Sequence, residues 1–170
     1  MSIRTATVRM FTGALLLGSV FTMGGMHAQA GGIACTISGT GAGETLSGTS
    51  GPDTICGFGG NDTIKGNGGD DIIYGGAGDD SITGNRGGDW IDGGTGDDVV
   101  KGAAGSDTVY GRKGIDELTG GAAGDSLAGG FGRDSLNTAD GAGGNDSANG
   151  GTGSDVCTVD VGDAVSNCEA

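Results

Sequence analysis

Residues 75–83 read Gly75-Gly76-Ala77-Gly78-Asp79-Asp80-Ser81-Ile82-Thr83. Three glycines surrender chain entropy, two carboxylates stand side by side, and only Ile82 suits a core. The nine residues before this stretch and the nine after it make nearly the same choices. Working outward, the chain divides into nines from Gly39 to Asn137 and again from Gly141 to Thr158, with Thr138-Ala139-Asp140 left over between them. Thirteen units result, and a fixed internal period is the mark of a repeat architecture.

Each position of the unit has its own chemistry. The first is glycine in all thirteen units, and the fourth is glycine in eleven, with Ala42 and Ala123 the departures. The sixth is always acidic: Glu44, Asp53, Asp62, Asp71, Asp80, Asp89, Asp98, Asp107, Asp116, Asp125, Asp134, Asp146 and Asp155. The eighth is Leu, Ile or Val in eleven units, then Ala148 and Cys157. Glycines at one and four permit positive φ and close backbone approach in a tight turn. Positions seven to nine alternate, as in Thr63-Ile64-Lys65, which predicts a three-residue strand with its middle side chain facing inward. Turn plus strand makes half a coil, so two nines make a coil of 18 residues. Stacked coils align these strands into two parallel sheets, an all-β solenoid with the position-eight aliphatics as a thin ladder between them.

Stacking also brings each position-six carboxylate near the one two units later, Asp62 near Asp80 for instance. Uncompensated, such columns of like charge push the coils apart. A divalent cation between successive turns reverses the sign, and calcium accepts carboxylate and backbone carbonyl oxygens in a forgiving geometry. All thirteen position-six acids are therefore candidate metal ligands. They form at most eleven pairs two units apart, of which about six to nine are expected to fill, with affinities on the order of 10⁻⁴–10⁻³ M.

Gly75–Thr83 and Gly93–Lys101 both match the pattern G-G-x-G-x-D-x-U-x at every fixed position. Over residues 39–158 the chain resembles the RTX, or haemolysin-type, calcium-binding repeat family. The resemblance implies a right-handed parallel β-roll, calcium between the turns and folding triggered by extracellular calcium. Departures fall in particular places. Position two is glycine in only five units, Glu44 is longer than aspartate, and Pro52 lacks an N–H. Arg112 and Lys113 put two cations into the turn before Asp116, where weaker calcium binding is expected. The Thr138–Asp140 insertion breaks register downstream unless it bulges outward.

The remaining chain is read from its ends. Arg4 and Arg9 precede an apolar run from about Phe11 to Met23, closed by Ala28-Gln29-Ala30. That is the pattern of a Sec-type signal peptide over residues 1–30, and with the repeat it points to a secreted bacterial protein. Residues 31–170 then form one domain, with 159–170 a C-terminal cap. Setting Arg4 and Arg9 aside leaves 22 acidic against 6 basic residues, a formal charge of −16. Such a chain repels nucleic acid and anionic lipid, and no membrane span or oligomer is expected. The four cysteines allow three disulfide pairings, and their clustering favours Cys35–Cys56 and Cys157–Cys168.

Catalysis has little support. The sole histidine, His27, lies in the signal region, the cysteines are committed, and each carboxylate has an assigned task. Calcium binding with a structural or interaction role outside the cell is the reading favoured, with a partner at the cell surface or in the extracellular matrix. The alternative is a repeat face that binds carbohydrate or another surface. Ice binding wants a regular threonine row, and position three, running from Gly41 and Ser50 through Arg86 and Lys113 to Thr152, is irregular. Trp90, Tyr74 and Tyr110 are expected to be separate outward-facing aromatics.

Overall fold

A computed structural model describes residues 34–169; the signal-peptide reading of 1–30 lies outside them. Among the described residues there are fifteen strands and no helix. In chain order they are β1 (Ile37–Ser38), β2 (Thr45–Ser47), β3 (Thr54–Gly59), β4 (Thr63–Gly68), β5 (Ile72–Ala77), β6 (Ser81–Arg86), β7 (Trp90–Thr95) and β8 (Val99–Ala104). There follow β9 (Thr108–Lys113), β10 (Glu117–Ala122), β11 (Ser126–Phe131), β12 (Ser135–Asn137), β13 (Ser147–Thr152), β14 (Val156–Thr158) and β15 (Ala164–Ser166). Odd strands form one eight-stranded sheet and even strands a seven-stranded one, all pairs parallel and each strand bonded to the one two later. Register advances by 18 residues, as in Ile64↔Ile82↔Val100. Two units make one coil, and about seven coils stack into a parallel β-roll.

Ten strands run six residues, longer than the alternation at positions seven to nine predicts. Each continues through the position-one glycine into positions two and three of the next unit, where pairing resumes, as in Phe58↔Gly76 and Gly59↔Ala77. The chain bends at position two instead, which has positive φ even where it is not glycine: Phe58 at 72°, Asn67 at 80°, Arg112 at 84°. Position four is the second left-handed residue, at 88° for Gly60 and 85° for Ala123. From Phe58 on, positive φ thus falls at two and four rather than one and four, except in the unit after the insertion, where Gly141 at position one is left-handed at 88°.

The core is one side chain thick. Ile55, Ile64, Ile73, Ile82, Ile91, Val100, Val109, Leu118, Leu127, Leu136 and Ala148 are all at most 1% exposed, and they come alternately from the two sheets. One aliphatic per nine residues is little burial to set against the ordering of nine backbone residues. The roll therefore leans on its hydrogen bonds and on whatever happens in its turns.

The insertion leaves the register intact. Strands β11 and β13 pair as Ser126↔Ser147, and β12 and β14 as Leu136↔Cys157, an offset of 21 in both cases. The extra three residues bulge, and Thr138 N–H still donates to the Thr158 carbonyl at 3.0 Å. At the ends, Cys35 is bonded to Cys56 and Cys157 to Cys168. The last coil is degenerate, with Val165 of β15 taking its place beside Ala148. No helix long and apolar enough to cross a membrane occurs among the described residues.

Truncating Ile91 to alanine opens a cavity in the middle of the ladder. It is expected to cost about 2–5 kcal/mol, measured by denaturant unfolding of the folded protein in calcium. Val99→Ala, on the outer face at 49% exposure, is expected to stay within about 0.5 kcal/mol.

Candidate metal centre

Position six ends each turn where the chain enters a strand, and the strand register fixes it above its counterpart in the next coil. Two columns result, one along each edge of the roll. Glu44, Asp62, Asp80, Asp98, Asp116, Asp134 and Asp155 form one; Asp53, Asp71, Asp89, Asp107, Asp125 and Asp146 form the other. Every aspartate of the two columns from Asp62 onward is between 0 and 4% exposed. Each of these offers Oδ1 to the backbone N–H of the position-six residue one coil back: Asp62 N–H to Asp80 at 2.8 Å, Asp80 to Asp98 at 2.9 Å, Asp98 to Asp116 at 2.9 Å. The same bond spans the insertion, from Asp125 N–H to Asp146 at 2.6 Å and Asp134 N–H to Asp155 at 2.8 Å.

The other oxygen has nothing. Oδ2 of Asp62, Asp71, Asp80, Asp89, Asp98, Asp107, Asp116, Asp125, Asp134, Asp146 and Asp155 is buried without a hydrogen-bond partner. Buried polar atoms are nearly always satisfied, so a row of eleven orphans on one side-chain type requires an explanation. Their surroundings explain the position-one glycines. A Cβ on Gly75 would lie 2.5 Å from Asp80 Oδ2 and 2.5 Å from the Gly93 carbonyl oxygen of the next coil. Gly57 faces Asp62, Gly93 faces Asp98 and Gly129 faces Asp134 in the same way. Outside Gly141, which follows the insertion and has a φ of 88° with open space beside it, position one is glycine because a carboxylate occupies the space of its side chain, not because its φ is positive.

Further oxygens line the turns. Among the described residues no hydrogen bond ends on the position-four carbonyls of Gly60, Gly69, Gly78, Gly87 or Gly96. No three acidic, histidine or cysteine side chains converge as a compact cluster among the described residues, so a cation held here draws on carboxylates spaced along a column and on backbone carbonyls. All these donors are oxygen, the set a hard divalent cation takes.

Electrostatics point the same way. Burial, reinforced by the neighbouring carboxylates, pushes Asp98 and Asp107 up to about 7 from an ordinary 3.8. For the same reasons Asp89, Asp116 and Asp125 rise to about 6, and Asp62, Asp71, Asp80, Asp134 and Asp146 are also raised. The single N–H bond to each Oδ1 opposes this but does not overcome it. A charged column is unstable until a positive charge joins it.

The two acids at the N-terminal end differ. Asp53 is half-buried, with Oδ2 taking the Thr49 N–H at 2.7 Å and its hydroxyl at 2.9 Å, and Oδ1 taking the Thr36 hydroxyl at 3.1 Å. Those bonds, the Thr49 N–H first, hold its carboxyl below the ordinary value. Glu44 Oε2 accepts the Thr40 N–H at 2.6 Å. Arg112 does not crowd Asp116: its guanidinium leaves the turn and pairs with Asp92 on the sheet face. Position five has a task that is hard to see in one unit alone. Asn61, Asp79 and Asp97 each accept the position-five N–H of the next coil, at 3.0, 2.9 and 2.8 Å. This outer ladder donates in the opposite direction to the inner one, and its signal is an oxygen-bearing side chain recurring at every eighteenth residue.

The profile of the RTX calcium-binding nonapeptide repeat matches residues 38–73, 57–91, 83–118, 101–136 and 135–164. The chain belongs to the RTX calcium-binding repeat family. No curated protein matches it at a significant level. Calcium is thus the cation that both the RTX repeat and the all-oxygen donor set indicate.

Because the folded-state values are raised, the metal-free RTX roll binds more protons than the unfolded chain between pH ~4 and ~7. The stability these carboxylates contribute is fully present below about 4 and is lost as pH rises through about 7. Far-UV circular dichroism of the chelator-treated protein is expected to show more β structure at pH ~4.5 than at pH ~8, with calcium reversing that order because ligand oxygens must be deprotonated. Gly75→Ala, which drives a methyl into Asp80 Oδ2, is expected to weaken folding in calcium, read as a rise in the calcium concentration at the circular-dichroism midpoint.

Proposed function

We propose that this is an exported calcium-binding protein whose roll forms when calcium enters the two carboxylate columns, and whose folded rod serves a structural or interaction role outside the cell. The observation that carries this reading is the row of eleven buried, unpartnered Oδ2 atoms. Asp62, Asp71, Asp80, Asp89, Asp98, Asp107, Asp116, Asp125, Asp134, Asp146 and Asp155 are the proposed ligands, completed by turn carbonyls. Glu44 and Asp53, already served by threonine donors, hold calcium more weakly if they take part. Bound calcium supplies the positive charge that the columns lack.

A ligand that binds the folded state and not the unfolded chain stabilises the fold by mass action. With so thin a core, that linkage makes folding conditional on calcium. Such conditionality suits a protein that crosses a membrane unfolded and meets calcium outside. The signal-like residues 1–30 and the two disulfides, which persist in oxidising compartments, support export. The role is non-enzymatic.

Far-UV circular dichroism of residues 31–170, disulfides intact, tests the core of this reading. A coil spectrum converting cooperatively to β on calcium addition, and back with EDTA, is the expected result. A β spectrum indifferent to EDTA would show that the fold stands without metal. Asp98→Asn keeps the shape and an Oδ1 acceptor but removes the charge. Its expected loss is about 2.7 kcal/mol of calcium-dependent stability at 100-fold excess over the site Kd, with no loss in the metal-free protein at acid pH.

A further inference from the structure

The outer face of the eight-stranded sheet carries a feature unrelated to the columns. Positions seven and nine of a strand both point outward, and register places Tyr74, Asp92 and Tyr110 side by side on β5, β7 and β9. Trp90, at position seven of β7, leans between the two tyrosines. Its ring centroid is 5.2 Å from that of Tyr74 and 5.6 Å from that of Tyr110, with interplanar angles of 57° and 51°. The guanidinium carbon of Arg112 sits 4.6 Å from the Tyr110 ring centroid. Its Nε and Nη2 donate to Asp92 Oδ2 at 2.9 and 2.6 Å. Trp90 and the two tyrosines are only half-buried, and Ile72 extends the apolar surface at 41% exposure.

We infer that this strip is a binding site for a neutral saccharide chain. Sugar rings present apolar C–H faces that stack on aromatic side chains, and hydroxyl rims that want paired donors and acceptors. The strip has both. Three rings across three adjacent strands span about 10 Å, the length of a short oligosaccharide. On the middle strand Asp92 is paired with Arg112 of β9, so the strip offers hydrogen-bonding groups without a net charge to match an ion. In a chain most of whose carboxylates lie in the turns, this neutral patch is where an uncharged, hydroxyl-rich ligand finds complementarity. A merely structural reading, cross-strand shielding of the sheet, predicts no ligand at all.

Trp90 is the only tryptophan in the chain, so its fluorescence reports this site alone. The experiment titrates the calcium-loaded protein, its β spectrum verified first, with cellohexaose, chitohexaose and mannohexaose, and with polygalacturonate as an anionic control. Because the fold is checked separately, failure here leaves the calcium reading standing. A saturable change in Trp90 emission with at least one neutral oligosaccharide is expected. Tyr74→Ala and Tyr110→Ala, which keep the reporter, are expected to weaken it roughly three- to tenfold while leaving the calcium midpoint unmoved. No saturable response across the panel, a response to polygalacturonate only, or an unchanged affinity in both tyrosine variants would overturn the inference. So would an emission shift that depends on protein concentration without sugar, which would make the strip a contact between copies of the chain.

Discussion

Eleven carboxylates stripped of water and stacked in two files are the constraint around which this molecule is arranged. Each is fixed by one hydrogen bond to the coil below and left with one oxygen unanswered. That oxygen dictates the glycine at position one, because no Cβ fits beside it. Burial first, and then the neighbouring carboxylates, raises the proton affinity of the column aspartates from Asp62 to Asp146, to about 7 at Asp98 and Asp107 in the middle of the stack. The aliphatic ladder, one side chain thick, holds the coils in register but has no surplus with which to overcome two repelling files. On the function proposed above, the metal is less a ligand of a finished fold than one of its structural components.

The two ladders of side-chain hydrogen bonds divide the labour of stacking. Position six receives from the coil before and faces inward; position five receives from the coil after and stays at the surface. Neighbouring coils are thereby linked in both directions through their turns, while the strands link them along the sheets. Few other contacts are needed, which is why a chain with 43 glycines can hold one shape. The disulfides act where the scheme runs out, at the first coil and the degenerate last one, which have a neighbour on only one side.

Much of this was legible in the residues because repetition turns weak signals into strong ones. One acid followed two residues later by an aliphatic means little; eleven such pairs in phase define a coil, its two sheets and its inner column. The strand ends were not legible. Their second halves run through Gly-rich positions one to three, where pairing comes from backbone register and leaves no hydrophobic alternation. Nor was the reason for the first glycine, since the atom it avoids lies five residues on and becomes a neighbour only once the turn closes. Trp90, Tyr74 and Tyr110 look solitary at 16 and 20 residues apart. They meet because 18 is the true period and positions seven and nine share a face.

That period carries a parity. The repeat unit is nine residues, but the two sheets alternate, so a tandem duplication of one unit sends every strand downstream of it to the opposite sheet. Placed between Tyr74 and Trp90, such a duplication would send the aromatic residues to opposite sheets; one of 18 residues would leave them on the same face. The three-residue bulge at Thr138 is harmless for the same reason, as it changes the length of a coil without changing which side the next strand falls on. Genes of this kind can grow one unit at a time and still build a roll, but a surface pattern written across neighbouring coils is inherited only through steps of two.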